Sequence, residues 1–180
     1  MSAIVAGDIL WKYSVVAAAG NTTASAPATS LGDQISTSAW AGGSPNDLFD
    51  DISGAENAAS TVDYRCIFVH NTNGANTLEN AVVYLSAEVA AGAGIAVGAD
   101  TTAASVIASG SAQALTIANE TTAPAGVTFA SPTTAGTGVA LGNIPSGQCK
   151  AIWVRRTAAN SAALSADGVT LAVAGDTGSL

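Results

Sequence analysis

The stretch Val62–Asn71, VDYRCIFVHN, is the feature that most narrows what this chain can fold into. Side chains alternate across a strand, so Arg65, Ile67 and Val69 share one face and Tyr64, Cys66, Phe68 and His70 the other. Large apolar groups on both faces call for a central strand covered on both sides. Helix signals are poor almost everywhere. Thr, Ser, Gly, Asn and Val dominate, and few Leu, Glu, Lys or Arg recur at helical spacing.

Other short runs rich in β-branched and aromatic residues, bounded by Gly, Asn, Pro and Asp, read as strands. They cover residues 9–16, 34–40, 78–88, 103–108, 113–119, 127–129, 149–156 and 169–174. The run at 78–88 is expected to pair with Val62–Asn71 across the turn-rich Asn71-Thr72-Asn73-Gly74. Residues 46–52 are expected to form one helical turn capped by Asn46. The Ala/Gly-rich segment 90–110 has little to pin it, its glycines read as ordinary turns, and 141–147 reads as a turn. From about Val62 onward this is an all-β chain. It predicts an antiparallel β-sandwich, jelly-roll or immunoglobulin-like, over residues 61–180. Residues 1–60 hold more loop and scattered aromatics and read as a loop-rich N-terminal arm.

A chain of 180 residues can bury a core without disulfides or metal. Only 10% of residues are charged, against roughly 25% in a typical soluble protein. The surface is therefore expected to be rich in Ala, Ser, Thr, Asn and Gly, short side chains that lose little entropy when covered. Net charge is −8, and the only bases are Lys12, Arg65, Lys150, Arg155 and Arg156. Too few of them cluster to neutralise a nucleic-acid backbone or an anionic membrane surface. No apolar run is long enough to span a bilayer. Residues 1–19 lack a basic region before their apolar stretch, unlike a signal peptide. The chain is expected to fold in the cytoplasm of the cell that makes it. There Cys66 and Cys149 would be free thiols; one inter-strand disulfide is the alternative.

No catalytic constellation, cofactor site or metal-ligand set is expected. His70 is the sole histidine and reads as a strand-end residue bonded to loop backbone. Asp47, Asp50, Asp51 and Glu56 form the one acidic cluster, read as helix capping and a solvated loop, with calcium binding as the alternative. Arg155 and Arg156 either clamp an acidic partner or end a strand with one of them salt-bridged internally. Trp11, Tyr13 and Trp40 are candidate interface anchors, because buried aromatics dominate interface energy. The alternative places all three in the chain's own core.

Five segments, in one order, resemble a family of small virion structural proteins of tailed bacteriophages. They are VDYRCIFVHNTN (62–73), ENAVVYLSAE (79–88), IANETTAPAGVTFASP (117–132), LGNIPSGQCKAIWVRRTA (141–158) and DGVTLAVAGDTG (167–178). The resemblance implies a virion component without enzymatic activity: a head decoration (cement) protein on the capsid surface, or a tail, baseplate or fibre protein. Implied partners are the major capsid protein or other virion proteins, and further copies of the chain, for example in a trimer. A carbohydrate-binding sandwich is the reading from another class; it requires exposed, coplanar Trp11, Trp40 or Trp153.

Overall fold

The structure is a computed structural model that describes residues 3–16, 21–107, 110–162, 164 and 167–178. Its strands, in chain order, are β1 Ile9–Val15, β2 Gln34–Ala39, β3 Val62–Asn71, β4 Thr77–Glu88 and β5 Gly94–Ala99. After these come β6 Ser105–Val106, β7 Val139–Ile144, β8 Gln148–Thr157 and β9 Val169–Gly178. The one α-helix among the described residues, α1, is Gly54–Ala59. The larger sheet runs β2-β1-β3-β8-β5, with β6 also paired to β8. The smaller runs β7-β4-β9. All pairings are antiparallel, and the fold is an all-β sandwich.

Strand β3 lies at the centre, as its two apolar faces require. One face packs Ile67 and Val69, with Ile152 and Val154 of β8, against Val83 and Leu85 of β4 and Leu171 of β9. On the outer face, Cys66 and Phe68 join Trp153 and Ala151 beneath Ile35, Ala114 and Ile117. That cover comes largely from irregular chain between β6 and β7. Phe68 and Trp153 have no exposed surface, and each side chain of this kind contributes about 2–3 kcal/mol by leaving water.

The expected pairing of β3 with β4 does not occur. Both edges of β3 are occupied, by β1 and β8, and β4 crosses to the smaller sheet. Asn71 holds the crossover: its Nδ2 donates to the carbonyls of Asn76 and Ile144, both at 2.9 Å, and its Oδ1 accepts from Asn73 N. The helical turn at 46–52 is also not formed. Asn46 sits at φ 59°, whereas a helix cap needs extended backbone. The helix begins at Gly54, where Ser53 and Glu56 form a capping box.

Residues 113–119 and 127–129 form no strand. The first run forms one isolated bridge, Thr116 to Gly32 just before β2, and the second lies beside another, Ala130 to Val97. The 103–108 strand shrinks to β6, and position 108 lies outside the described residues. Conversely, 139–144 is strand β7, and the Ala/Gly segment supplies β5. There a small residue is needed: a Cβ on Gly98 would stand 2.7 Å from the Thr128 carbonyl and press on Val127. The first sixty residues, expected as an arm, place β1 and β2 in the larger sheet.

The outer edges of that sheet are covered. Asn21 and Thr23 bond along β2, at Ile35 O (2.6 Å) and Thr37 N (2.9 Å). On β5, Val97 and Ala130 exchange backbone bonds of 2.8 and 3.0 Å.

Candidate interaction surface

Antiparallel register places the basic groups, and three of the five, Arg65, Lys150 and Arg156, are buried. Arg156 is opposite Asp63 and donates to its carboxylate from Nη2 (2.7 Å) and Nε (3.2 Å). It also pairs with Asp50 at 3.1 Å and lies over the Phe49 ring, 4.8 Å from the centroid. Arg65 pairs with Glu120 and also lies over the Phe49 ring, with Cζ 5.7 Å from the centroid. Two buried guanidinium groups thus hold the 46–52 loop through one aromatic ring. Arg156 is 6% exposed and is a clasp inside the chain, not a surface anchor.

A second cluster is built on Asp100 at the end of β5. Its carboxylate accepts from Trp153 Nε1 (2.7 Å), Leu115 N (2.9 Å) and Thr102 N (2.7 Å). The Lys150 ammonium donates to the Asp100 carbonyl at 2.7 Å and to the Thr102 carbonyl. Burial lowers the Lys150 pKa, against the pull of Asp100.

His70 stands opposite Cys149. Burial, and then the nearby Lys12 charge, lower its pKa, and its Nδ1 has no partner among the described residues; the expected bond from this ring to loop backbone is not made there at that nitrogen. Cys149 is pushed up to about 12 and Cys66 higher than an ordinary thiol, chiefly by burial. Both are free. Cys66 faces Trp153, four residues along β8 from Cys149. At about 3.3 Å per residue that is roughly 13 Å, too far for a disulfide.

Among the acids of the 47–56 cluster, Asp50 is tied to Arg156 and Glu56 caps α1. The described residues contain no group of three or more His, Cys, Asp or Glu arranged to hold a metal ion.

Trp11 and Trp40 come together at the end of the β1–β2 pair. Their centroids are 5.7 Å apart and their planes 89° apart. With Ala41, Gly42, Gly43 and Val169–Leu171 they line a shallow cleft of about 290 Å³. Both rings are half-buried, and Trp40 Nε1 has no partner among the described residues. Tyr13 is buried beside them, its hydroxyl donating to the Asp47 carbonyl. It is a core residue, with a phenol pKa raised by burial and by Asp47. Trp153 is fully buried. The coplanar tryptophan platform that sugar stacking requires is therefore not formed.

Arg155, next to the buried Arg156, is half-buried on the opposite face of β8. It lies over Phe129, with Cζ 5.2 Å from the ring centroid, and Tyr64 packs on the same ring at 5.5 Å. Neither Tyr64 nor Phe129 stood out in the sequence. The available signal was that Tyr64 shares the Cys66–Phe68 face of β3. Comparisons with protein-family models, curated proteins and solved structures found no match.

Proposed function

We propose that this chain is a structural virion protein, a capsid decoration protein that packs on the major capsid lattice and stabilises the head. The observation that carries the reading is where the charge goes. Arg65, Arg156 and Lys150 are engaged inside the fold, and the outer surface is left to short side chains with a few scattered acids and aliphatic groups. Such a surface suits broad, modest contacts repeated by symmetry, and many of them stabilise an assembled shell by mass action. The half-exposed Trp11–Trp40 pair is the aromatic anchor of that contact. The five-segment resemblance to phage virion proteins points the same way.

Particles lacking the protein are expected to lose their genome at lower temperature or lower salt tolerance than complete ones, and added protein should restore the wild-type midpoint. Unchanged particle stability would count against a cement role. A tail, baseplate or fibre location remains the alternative within the same class; it predicts a few copies, fractionating with tails.

A further inference from the structure

Five basic side chains serve the whole chain, and four are held within it. Lys12 donates to Asn21 Oδ1 at 2.7 Å. Arg65, Lys150 and Arg156 have the partners described above. Arg155 alone has no side-chain hydrogen bond or ion pair among the described residues, and its Nε is shielded from water without an acceptor.

The register makes this position a built one. Arg155 occupies a rung of the larger sheet between Tyr64 of β3 and Ala96 of β5. Its guanidinium and the Tyr64 ring both pack on Phe129, the latter tilted by 53°. The Tyr64 hydroxyl also lacks a partner among the described residues. A guanidinium stacked on an aromatic face is held in place before any ligand arrives. Its planar fork matches a carboxylate in two parallel hydrogen bonds.

We propose that the Tyr64–Arg155–Phe129 rung is a receptor for a carboxylate side chain of a second copy of this chain. The inference rests on the packing role above and adds a partner and a contact to it. Charge complementarity selects the occupant. Each copy has thirteen acids against five bases, so it offers a surplus of carboxylates, such as the exposed Asp51, and one unengaged guanidinium. Receptor and ligand lie on different patches, which makes the contact heterologous: copies join head to tail and close into a ring or continue as a chain. Repulsion between copies of charge −8 opposes this, but it is screened beyond about 8 Å at physiological salt.

The test is sedimentation of the full chain from micromolar to millimolar concentration. Wild type should associate with rising concentration. Arg155→Gln should weaken association at least about tenfold, the loss of one charge-assisted contact. Arg155→Lys should fall between, because an ammonium cannot form the fork. Tyr64→Phe keeps the ring on Phe129, and so the fold, and should weaken association to a smaller extent. Arg155→Gln retains its carboxylates, so adding it to wild type should cap and shorten the oligomers. Wild type that stays monomeric over the whole range would overturn the proposal. So would Arg155→Gln that associates like wild type, or Arg155 that engages only a foreign acidic protein. These readings are independent of particle stability, so failure here and failure of the cement role are distinguishable.

Discussion

Replacing Asp100 by alanine removes the acceptor on which the outer cover of the larger sheet depends. Three donors would lose their partner: Trp153 Nε1, Leu115 N and Thr102 N. A buried donor left unsatisfied costs about 1–3 kcal/mol. Leu115 and Thr102 belong to irregular segments that can turn toward water, which lowers their share. Trp153 has no exposed surface and no such escape. The expected loss is therefore about 3–5 kcal/mol, a large part of the roughly 5–15 kcal/mol that holds a domain together. Asp100→Asn keeps the shape but turns an amide donor toward one of these groups, and should cost about 2–3 kcal/mol. Urea unfolding followed by far-ultraviolet circular dichroism measures both. A double-mutant cycle with Trp153→Phe should return a coupling of about 1–3 kcal/mol. An Asp100→Ala loss below about 1 kcal/mol, or no coupling to Trp153, would refute the reasoning.

Three further outcomes follow from the same geometry. His70 has a folded-state pKa held below its usual value near 6.5, so its stabilising effect is complete above that value and declines as pH falls through the folded pKa. Wild type should lose stability as pH falls below about 6.5, and His70→Gln should flatten that slope. The lowered carboxyls of Asp8 and Glu56 act only at lower pH, below about 4.5. Gly98→Ala would push a methyl group into Val127 and the Thr128 carbonyl, and should lower the urea midpoint by an amount equivalent to about 1–3 kcal/mol. Cys66 and Cys149 should resist a thiol reagent in the native protein and both react after unfolding; rapid native labelling would contradict their burial.

The sequence was most legible where side-chain alternation carried large apolar groups. Strand β3 ends where VDYRCIFVHN ends, because both faces of that run demand cover. Strand β5 was hidden for the opposite reason. GIAVGA has glycines where a patterned strand would show side chains, and one of them, Gly98, must be small because the 127–129 segment crosses it. QALTIAN alternates like a strand, yet its Ala114 and Ile117 serve as a lid on Cys66, Phe68 and Trp153 instead of joining a ladder. The β3–β4 pairing failed because local order says nothing of which long-range neighbours fill an edge. Likewise, adjacent arginines could not reveal which faced inward. Alternation alone sends Arg155 and Arg156 to opposite faces, but only register with Asp63 and Tyr64 identifies the enclosed one. Trp11 and Trp40 were singled out together, and their edge-to-face contact required the β1–β2 pairing to appear.

The number of copies in purified particles tests the central claim most directly. Quantitative mass spectrometry of intact heads, separated from tails, should find this chain in a fixed stoichiometric ratio to the major capsid protein, at many copies per head. Its complete absence from heads, or a handful of copies confined to tails, would contradict the decoration role.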